Sequence, residues 1–383
     1  MLDWKNTTIG GICAYVNRGI SPSYVEQNGI SLINQKCIRN GRLDLSFSRY
    51  TSKTKNYTTE KELQTNDILI NSTGVGTAGR VALFNKKSGY YVDTHVSIVR
   101  INPKIAFPKF IFYNLFKRES EIESYAEGST GQIELSREKI KEIEIVLPPL
   151  PEQQAIAEVL SSLDDKIDLL HRNNKTLEEM AETLFRQWFV EGAKEDWEDY
   201  PLDKLADYVN GLALQKFPAE KGQPTIPAIK IREMNQGITE STDRVSTKIP
   251  EKYLVHNGDI LFSWSGSLDV IIWSQGIGAL NQHLFKVIPI NLPKWLVYFA
   301  TRLFLPDFRD IANDKATTMG HIQRHHLSDA KIKLPNLECI PNLDKAIDPI
   351  FTKLLLNKEQ IHLLKSHRDT LLPKLMSGQV VVR

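Results

Sequence analysis

The strongest constraint on this 383-residue chain is an internal repeat. Five blocks of its first half recur in the same order, at a nearly constant offset, in its second half. Asn66-Asp67-Ile68-Leu69-Ile70-Asn71-Ser72 is matched by Asn257-Gly258-Asp259-Ile260-Leu261-Phe262-Ser263, and Thr94-His95-Val96-Ser97 by Gln282-His283-Leu284-Phe285. Phe110-Ile111-Phe112-Tyr113 is matched by Trp295-Leu296-Val297-Tyr298, Ser129-Thr130-Gly131-Gln132-Ile133 by Thr318-Met319-Gly320-His321-Ile322, and Ile143-Glu144-Ile145-Val146-Leu147-Pro148 by Ala330-Lys331-Ile332-Lys333-Leu334-Pro335. Five ordered matches predict a duplicated fold, with two similar globular bodies each followed by a long helical segment.

Each body reads as mixed α/β. Asp67–Asn71 and Val81–Phe84 are β-rich runs on either side of a glycine-rich turn, Val96–Ile101 is a further strand, Pro108–Arg118 is a helix and Ile140–Leu147 a closing strand. The helical segments carry heptads. In the first, Ile156, Leu160, Leu163, Ile167, Leu170, Asn174, Leu177, Ala181, Leu184 and Trp188 alternate at spacings of four and three. In the second the seam is Leu343, Ile347, Ile350, Leu354, Asn357, Ile361, Leu364, Arg368, Leu371 and Leu375, with Pro349 and Pro373 expected to kink or break the helix near its ends. About 38 helical residues rise ~57 Å, so each segment needs a partner helix, and an antiparallel pair is expected.

Charge is unevenly distributed. Residues 151–200 hold 13 acids and 5 bases, leaving 43 bases and 33 acids elsewhere, so basic bodies flank an acidic segment. A basic body suits phosphate, and an acidic strut suits water or a protein partner. Cys13, Cys37 and Cys339 form no C-x-x-C pair, which disfavours a disulfide framework and fits a reducing cytoplasm. No apolar run is long enough to span a membrane, and the N-terminus lacks a signal-peptide layout.

Several motifs point away from catalysis. Gly74-x-Gly76-x-x-Gly79 matches a dinucleotide fingerprint as a string, but the strand Arg80–Phe84 follows where a helix is required. His321-x-x-x-His325-His326 has a metal-like spacing without a third ligand, so no metal is expected. There is no phosphate-binding loop, no Asn/Asp-Pro-Pro-Tyr/Phe tetrapeptide and no clear nuclease cluster. Polar residues in or near the repeated blocks, with Lys230 and Arg232, are candidates to contact DNA: Ser72, Thr73, Thr77, Arg80, Thr94, His95, Thr130 and Gln132 in the first body, and Lys230, Arg232, Ser263, Ser265, Gln282, His283, Thr318, His321 and Arg324 in the second. For the two strand-opening histidines a satisfied core position is an equal alternative, and Trp264 is read as core before stacking.

The whole pattern resembles the specificity subunit of type I restriction–modification systems. Leu147-Pro148-Pro149-Leu150-Pro151-Glu152-Gln153-Gln154, Asp164-Asp165-Lys166-Ile167 and Leu184-Phe185-Arg186-Gln187-Trp188-Phe189 look like its central region. Leu371-Leu372-Pro373-Lys374-Leu375-Met376-Ser377-Gly378 looks like its C-terminal region, and Asn66-Asp67-Ile68-Leu69 with Gly258-Asp259-Ile260-Leu261 like a motif of its recognition domains. The second copy, Leu334-Pro335-Asn336-Leu337-Glu338-Cys339, lacks the Glu-Gln pair, so the two partner-binding surfaces need not be alike.

The resemblance implies an α+β chain with target-recognition domains at 1–150 and 193–338, a central coiled-coil spacer at 151–192 and a C-terminal helix at 339–383 that pairs with it. It implies a bipartite, asymmetric double-stranded DNA target, two methyltransferase subunits and up to two motor–nuclease subunits. S-adenosylmethionine, ATP and magnesium would belong to those partners, with no cofactor and no catalysis in this chain. The helix-pairing residues would be Leu160, Leu163, Ile167, Leu170, Asn174, Leu177, Leu184, Leu354, Asn357, Ile361, Leu364 and Leu371. The competing readings are the recognition subunit of a combined cleavage–methylation enzyme, a coiled-coil adaptor that touches no DNA, and a nucleotide-using enzyme built on the glycine loop.

Overall fold

The structure, a computed structural model, describes residues 4–382 apart from 56, 129–132 and 315–319. It divides into two compact units, Met1–Asp165 with Ser366–Arg383, and Lys166–Lys365. Each takes in one body and part of both long helices.

Unit 1 is organised on a four-stranded antiparallel sheet in the order β1 (Cys13–Arg18), β4 (Val96–Ile101), β2 (Ile68–Asn71), β3 (Val81–Leu83). Successive side chains of a strand point to opposite faces, and here both faces are covered. Ile68 and Ile70 join Phe110, Ile111 and Leu115 of helix α1 (Pro108–Lys117), while Leu69 joins Ile33, Phe84 and Val92 on the other side. That is why β2 reads as an unbroken apolar run. A second sheet runs in the order Tyr90–Val92, Ile30–Ile33, Arg49–Thr51, Tyr24–Val25, and Lys5–Thr8 pairs with Glu144–Leu147. The expected strand Ile140–Leu147 is therefore shorter. Its first residues end a helix, Arg137–Glu142, because Ser136 Oγ caps that helix by accepting from the Lys139 N–H.

Unit 2 repeats the plan. Its main sheet has the order β5 (Ala206–Asn210), β8 (Leu284–Pro289), β6 (Ile260–Ser263), β7 (Val270–Ile272), and Glu198–Pro201 pairs with Lys331–Leu334. The repeated Asn/Gly-Asp-Ile-Leu block has a local cause. Asn66 (φ 74°) and Gly258 (φ 84°) turn the chain through left-handed backbone. Asp67 and Asp259 then lock that turn by accepting from the N–H of Gln64 and of His256, each at 2.8 Å.

The long helices are α3 (Leu150–Arg186) and α6 (Ile340–Met376). They are the third and the last of the six helices labelled here, which also include α2 (Glu119–Ser124), α4 (Lys294–Leu303) and α5 (Leu305–Asp314). Within unit 1, Ile156 and Leu160 of α3 share a core with Leu372, Leu375 and Met376 of α6. Within unit 2, Ile167 and Leu170 meet Ile361 and Leu364. Rising numbers on α3 meet falling numbers on α6 in both units, so the pair is antiparallel.

The seam is not purely heptad. Leu163, Leu177, Leu184, Leu364 and Leu371 are only half-buried, whereas Phe185 and Phe189 are fully enclosed against the body of unit 2. A straight helix drifts against a seven-residue repeat, and the drift turns the apolar stripe from the partner helix toward the body. Both asparagines are buried as expected, and Asn357, 1% exposed, has no hydrogen-bond partner for its amide among the described residues. The prolines do not end α6. Pro349 lies between Ile347 and Phe351, both buried in the unit 2 core, and that packing carries the helix past the missing hydrogen bond.

Each body is fastened to α3 by the same device. Tyr113 of α1 donates its hydroxyl to Asp164 at 2.7 Å, and Arg368 of α6 donates to the other carboxylate oxygen at 2.8 Å. Tyr298 of α4 and Arg302 both donate to Glu178. Burial, reinforced by the neighbouring carboxylate, pushes both phenols above their usual range.

Truncating the seam tests this packing. Ile167→Ala, at a fully buried site, is expected to lower stability by about 2–4 kcal/mol. Leu163→Ala, half-buried one turn away, is expected to cost under about 1 kcal/mol, both read from urea unfolding midpoints.

Candidate nucleic-acid interface

Three segments of unit 1 converge beyond the ends of β2 and β4: the loop 72–80, the turn 93–95 and residues 133–135. The Ser72 N–H donates to the His95 carbonyl at 2.8 Å, the Leu135 N–H to the Ser72 carbonyl at 2.8 Å, and the Gly74 N–H to the Ile133 carbonyl at 3.2 Å. Unit 2 makes the same three links from Trp264 to His283, Ile322 to Trp264 and Gly266 to Gly320, at 3.4, 3.0 and 2.9 Å. Sequence blocks that lie far apart are thus brought to one place, twice.

The side chains repeat as well. His95 Nδ1 lies 2.9 Å from Thr73 Oγ1, and His283 Nδ1 lies 3.0 Å from Ser265 Oγ. The His95 N–H donates to Asp93, and the His283 N–H to Asn281. Burial raises the Asp93 carboxyl above its usual range, with the His95 N–H acting against that. The His95 ring and Thr94 are exposed, while Gln282 and His283 are half-buried with Gln282 Nε2 3.3 Å from His283 Nε2. Neither histidine is the enclosed core residue that was the alternative; each is an imidazole pinned at one nitrogen by a loop hydroxyl.

Most other candidates are engaged within the fold. Ser72 and Ser263 are fully enclosed, with hydroxyls on Ser97 Oγ and the Ser267 carbonyl, so they brace the loops and present nothing to a duplex. Ser265, 3% exposed, acts through His283. Thr77 donates to the Thr73 and Gly74 carbonyls, and Arg80 to the Gly76 carbonyl at 2.6 Å. Arg324 donates to the Tyr208 carbonyl, and His321 bridges the strand edge at Ser265. Lys230 and Arg232 pair with Asp243 and Glu233 beside this cluster, where Ile231 approaches Gly266. Trp264 packs on the unit 2 core and donates to Asn210. Thr130, Gln132 and Thr318 lie outside the described residues.

The glycine string is a loop between β2 and β3, with no helix to receive a pyrophosphate, so it is not a dinucleotide site. What sequence reasoning missed is how this loop is held. Glu119 of α2 accepts from the Val81 N–H at 2.7 Å, and Glu123 from the Gly76 N–H. Arg18 ties the third segment by donating to the Leu135 carbonyl and pairing with Glu134. Gln35 accepts from the Thr73 hydroxyl. The only sequence signal was indirect: three glycines in one loop need anchors from elsewhere in the fold.

Comparison with known proteins decides the family. The type I restriction modification DNA specificity domain matches the chain twice, over residues 1–179 and 194–365. The chain belongs to this family. Its role is DNA specificity in a type I restriction–modification system. It is 27% identical over 320 residues to the type I restriction enzyme MjaIX specificity subunit of Methanocaldococcus jannaschii, covering 76% of this chain and 73% of that one. It is 22% identical over 471 residues to the HindI specificity subunit of Haemophilus influenzae, covering 99% and 100%. A crystal structure of the S subunit from M. genitalium shares the fold, with a TM-score of 0.60, 17% identity and coverage of 98% and 96%. Among the described residues no helix of this specificity subunit is long and apolar enough to cross a membrane.

Burial raises Glu119 to about 7, although the Val81 N–H opposes the shift. A carboxyl with a folded pKa above its unfolded value favours folding while it is protonated, and that contribution is lost as pH rises from about 4.5 through 7. Glu119→Gln is therefore expected to match the parent chain near pH 4.5 and to be the more stable of the two at pH 8, by thermal unfolding across that range.

Proposed function

We propose that the chain reads a split, asymmetric DNA target, one block with each body, and recruits catalysis from partner chains. The observation that carries this is the duplicated three-segment cluster with its hydroxyl–imidazole pair. Two copies of one scaffold with unlike surroundings, Trp264 and Gln282 in one and the glycine loop in the other, suit two different short blocks. His95, Thr94, Gln282, His283 and His321 are the residues we assign to bases or phosphates, with Lys230, Arg232 and Arg324 supporting register. The division into recognition domains at 1–150 and 193–338, with helical segments at 151–192 and 339–383, belongs to the same proposal.

In this reading the helix pair acts as a ruler and as the seat of two methyltransferase subunits. Adenine methylation from S-adenosylmethionine, and ATP- and magnesium-dependent cleavage by a motor–nuclease subunit, are assigned to partners in the cytoplasm. B-DNA turns once in about 10 base pairs, so blocks read from one face of a duplex are expected to have centres roughly that far apart, around a short unread gap.

The test is co-expression with the methyltransferase subunit followed by mapping of methylated adenines. Two short blocks around a fixed gap are expected. Inserting one heptad into each long helix is expected to change the gap and leave both blocks as they were. A changed block sequence, or methylation at a single continuous site, would contradict the ruler.

A further inference from the structure

Val75 stands at the tip of the loop 72–80 and, at 64%, is the most exposed large apolar side chain among the described residues. A single exposed valine is ordinary on a protein surface, but this one is held with unusual care. Gly74 (φ 94°) and Gly76 (φ 71°) flank it in left-handed backbone. The Gly74 N–H donates to the Ile133 carbonyl, the Gly76 N–H to Glu123, and Arg80 to the Gly76 carbonyl. Behind them Gly79 leaves no room for a side chain, since a Cβ there would lie 2.7 Å from the Glu123 nitrogen. The isopropyl group gains nothing for the fold where it stands, yet the backbone on both sides of it is fixed. The same loop supplies Thr73, which holds His95.

Unit 2 has no such tip. Its loop runs Ser265-Gly266-Ser267-Leu268; Ser267 is exposed and Leu268 is buried, 3% exposed.

In the major groove the apolar feature of a base pair is the 5-methyl group of thymine, and small apolar side chains read it by contact. We propose that Val75 is a specificity-determining residue: it packs on the 5-methyl of one thymine in the block read by unit 1, and unit 2 makes no equivalent contact. This rests on the reading of the three-segment cluster as the DNA-facing surface.

The experiment uses the full chain co-purified with its methyltransferase subunit and a duplex carrying the mapped target. Thymines are replaced one at a time by deoxyuridine, which removes only the methyl group. One substitution, in one block, is expected to weaken binding roughly four-fold, the worth of one buried methyl. Val75→Ser is expected to lose the same factor on the unmodified target and to be indifferent to uracil at that position, while Val75→Ile keeps the discrimination. The inference is overturned if neither strand of that block contains thymine, if no uracil weakens binding, or if Val75→Ser stays as uracil-sensitive as the parent. Specific binding that ignores uracil overturns this inference alone, whereas a complex with no sequence preference overturns the underlying reading as well.

Discussion

Two 37-residue helices with an apolar stripe cannot stand alone in water, and the burial of that stripe is the constraint on which the rest depends. Each unit solves it in the same two ways. Part of the stripe faces the other long helix, as at Ile167, Leu170 and Ile361, and part faces a body, as at Phe185 and Phe189. The two solutions are joined by half-buried charge. Asp164 and Glu178 each bind a tyrosine from a body helix and an arginine, so a body and a long helix share one hydrogen-bonded joint. Two donors on one carboxylate hold it in a single geometry, which makes the joint specific.

The recognition clusters follow from the sheets. Strand order and pairing of the main sheet are the same in the two units, so the loops that leave β2 and β6, the turns that open β4 and β8 and the segments before the closing strands emerge at equivalent places. Backbone links hold the scaffold constant and leave the side chains free to differ. This arrangement explains how one fold can serve two blocks. The hydroxyl–imidazole pair is retained in both, while Val75 and Trp264 mark where the two surfaces part.

Much of this was legible in the sequence because repeats report on topology. Four of the five matched blocks turned out to be the central strand with its turn, the strand after the histidine, the body helix and the closing strand, and the described residues of the other, Ile133 and Gly320 to Ile322, lie in the third loop segment. The heptads foretold an antiparallel pair, though not that its faces would rotate toward the bodies. Hydroxyl residues were harder to place. Ser72, Ser263 and Ser265 look like surface residues because serine in a turn is ordinarily exposed, yet these are enclosed and hold backbone or histidine. Glu119, Glu123 and Gln35 gave no signal, since residues that brace a loop from a distant segment leave no spacing to find. Pro349 does not break its helix, because local propensity yields to the packing of Ile347 and Phe351.

The central claim is that each body reads one block through its own copy of the cluster. It is tested most directly by mapping methylated sites for two single variants, Thr73→Val and Ser265→Ala, each of which frees one histidine from its hydroxyl. Each variant is expected to relax the sequence of one block and leave the other unchanged, and the two variants to affect different blocks. Relaxation of the same block by both, or of neither, would contradict it.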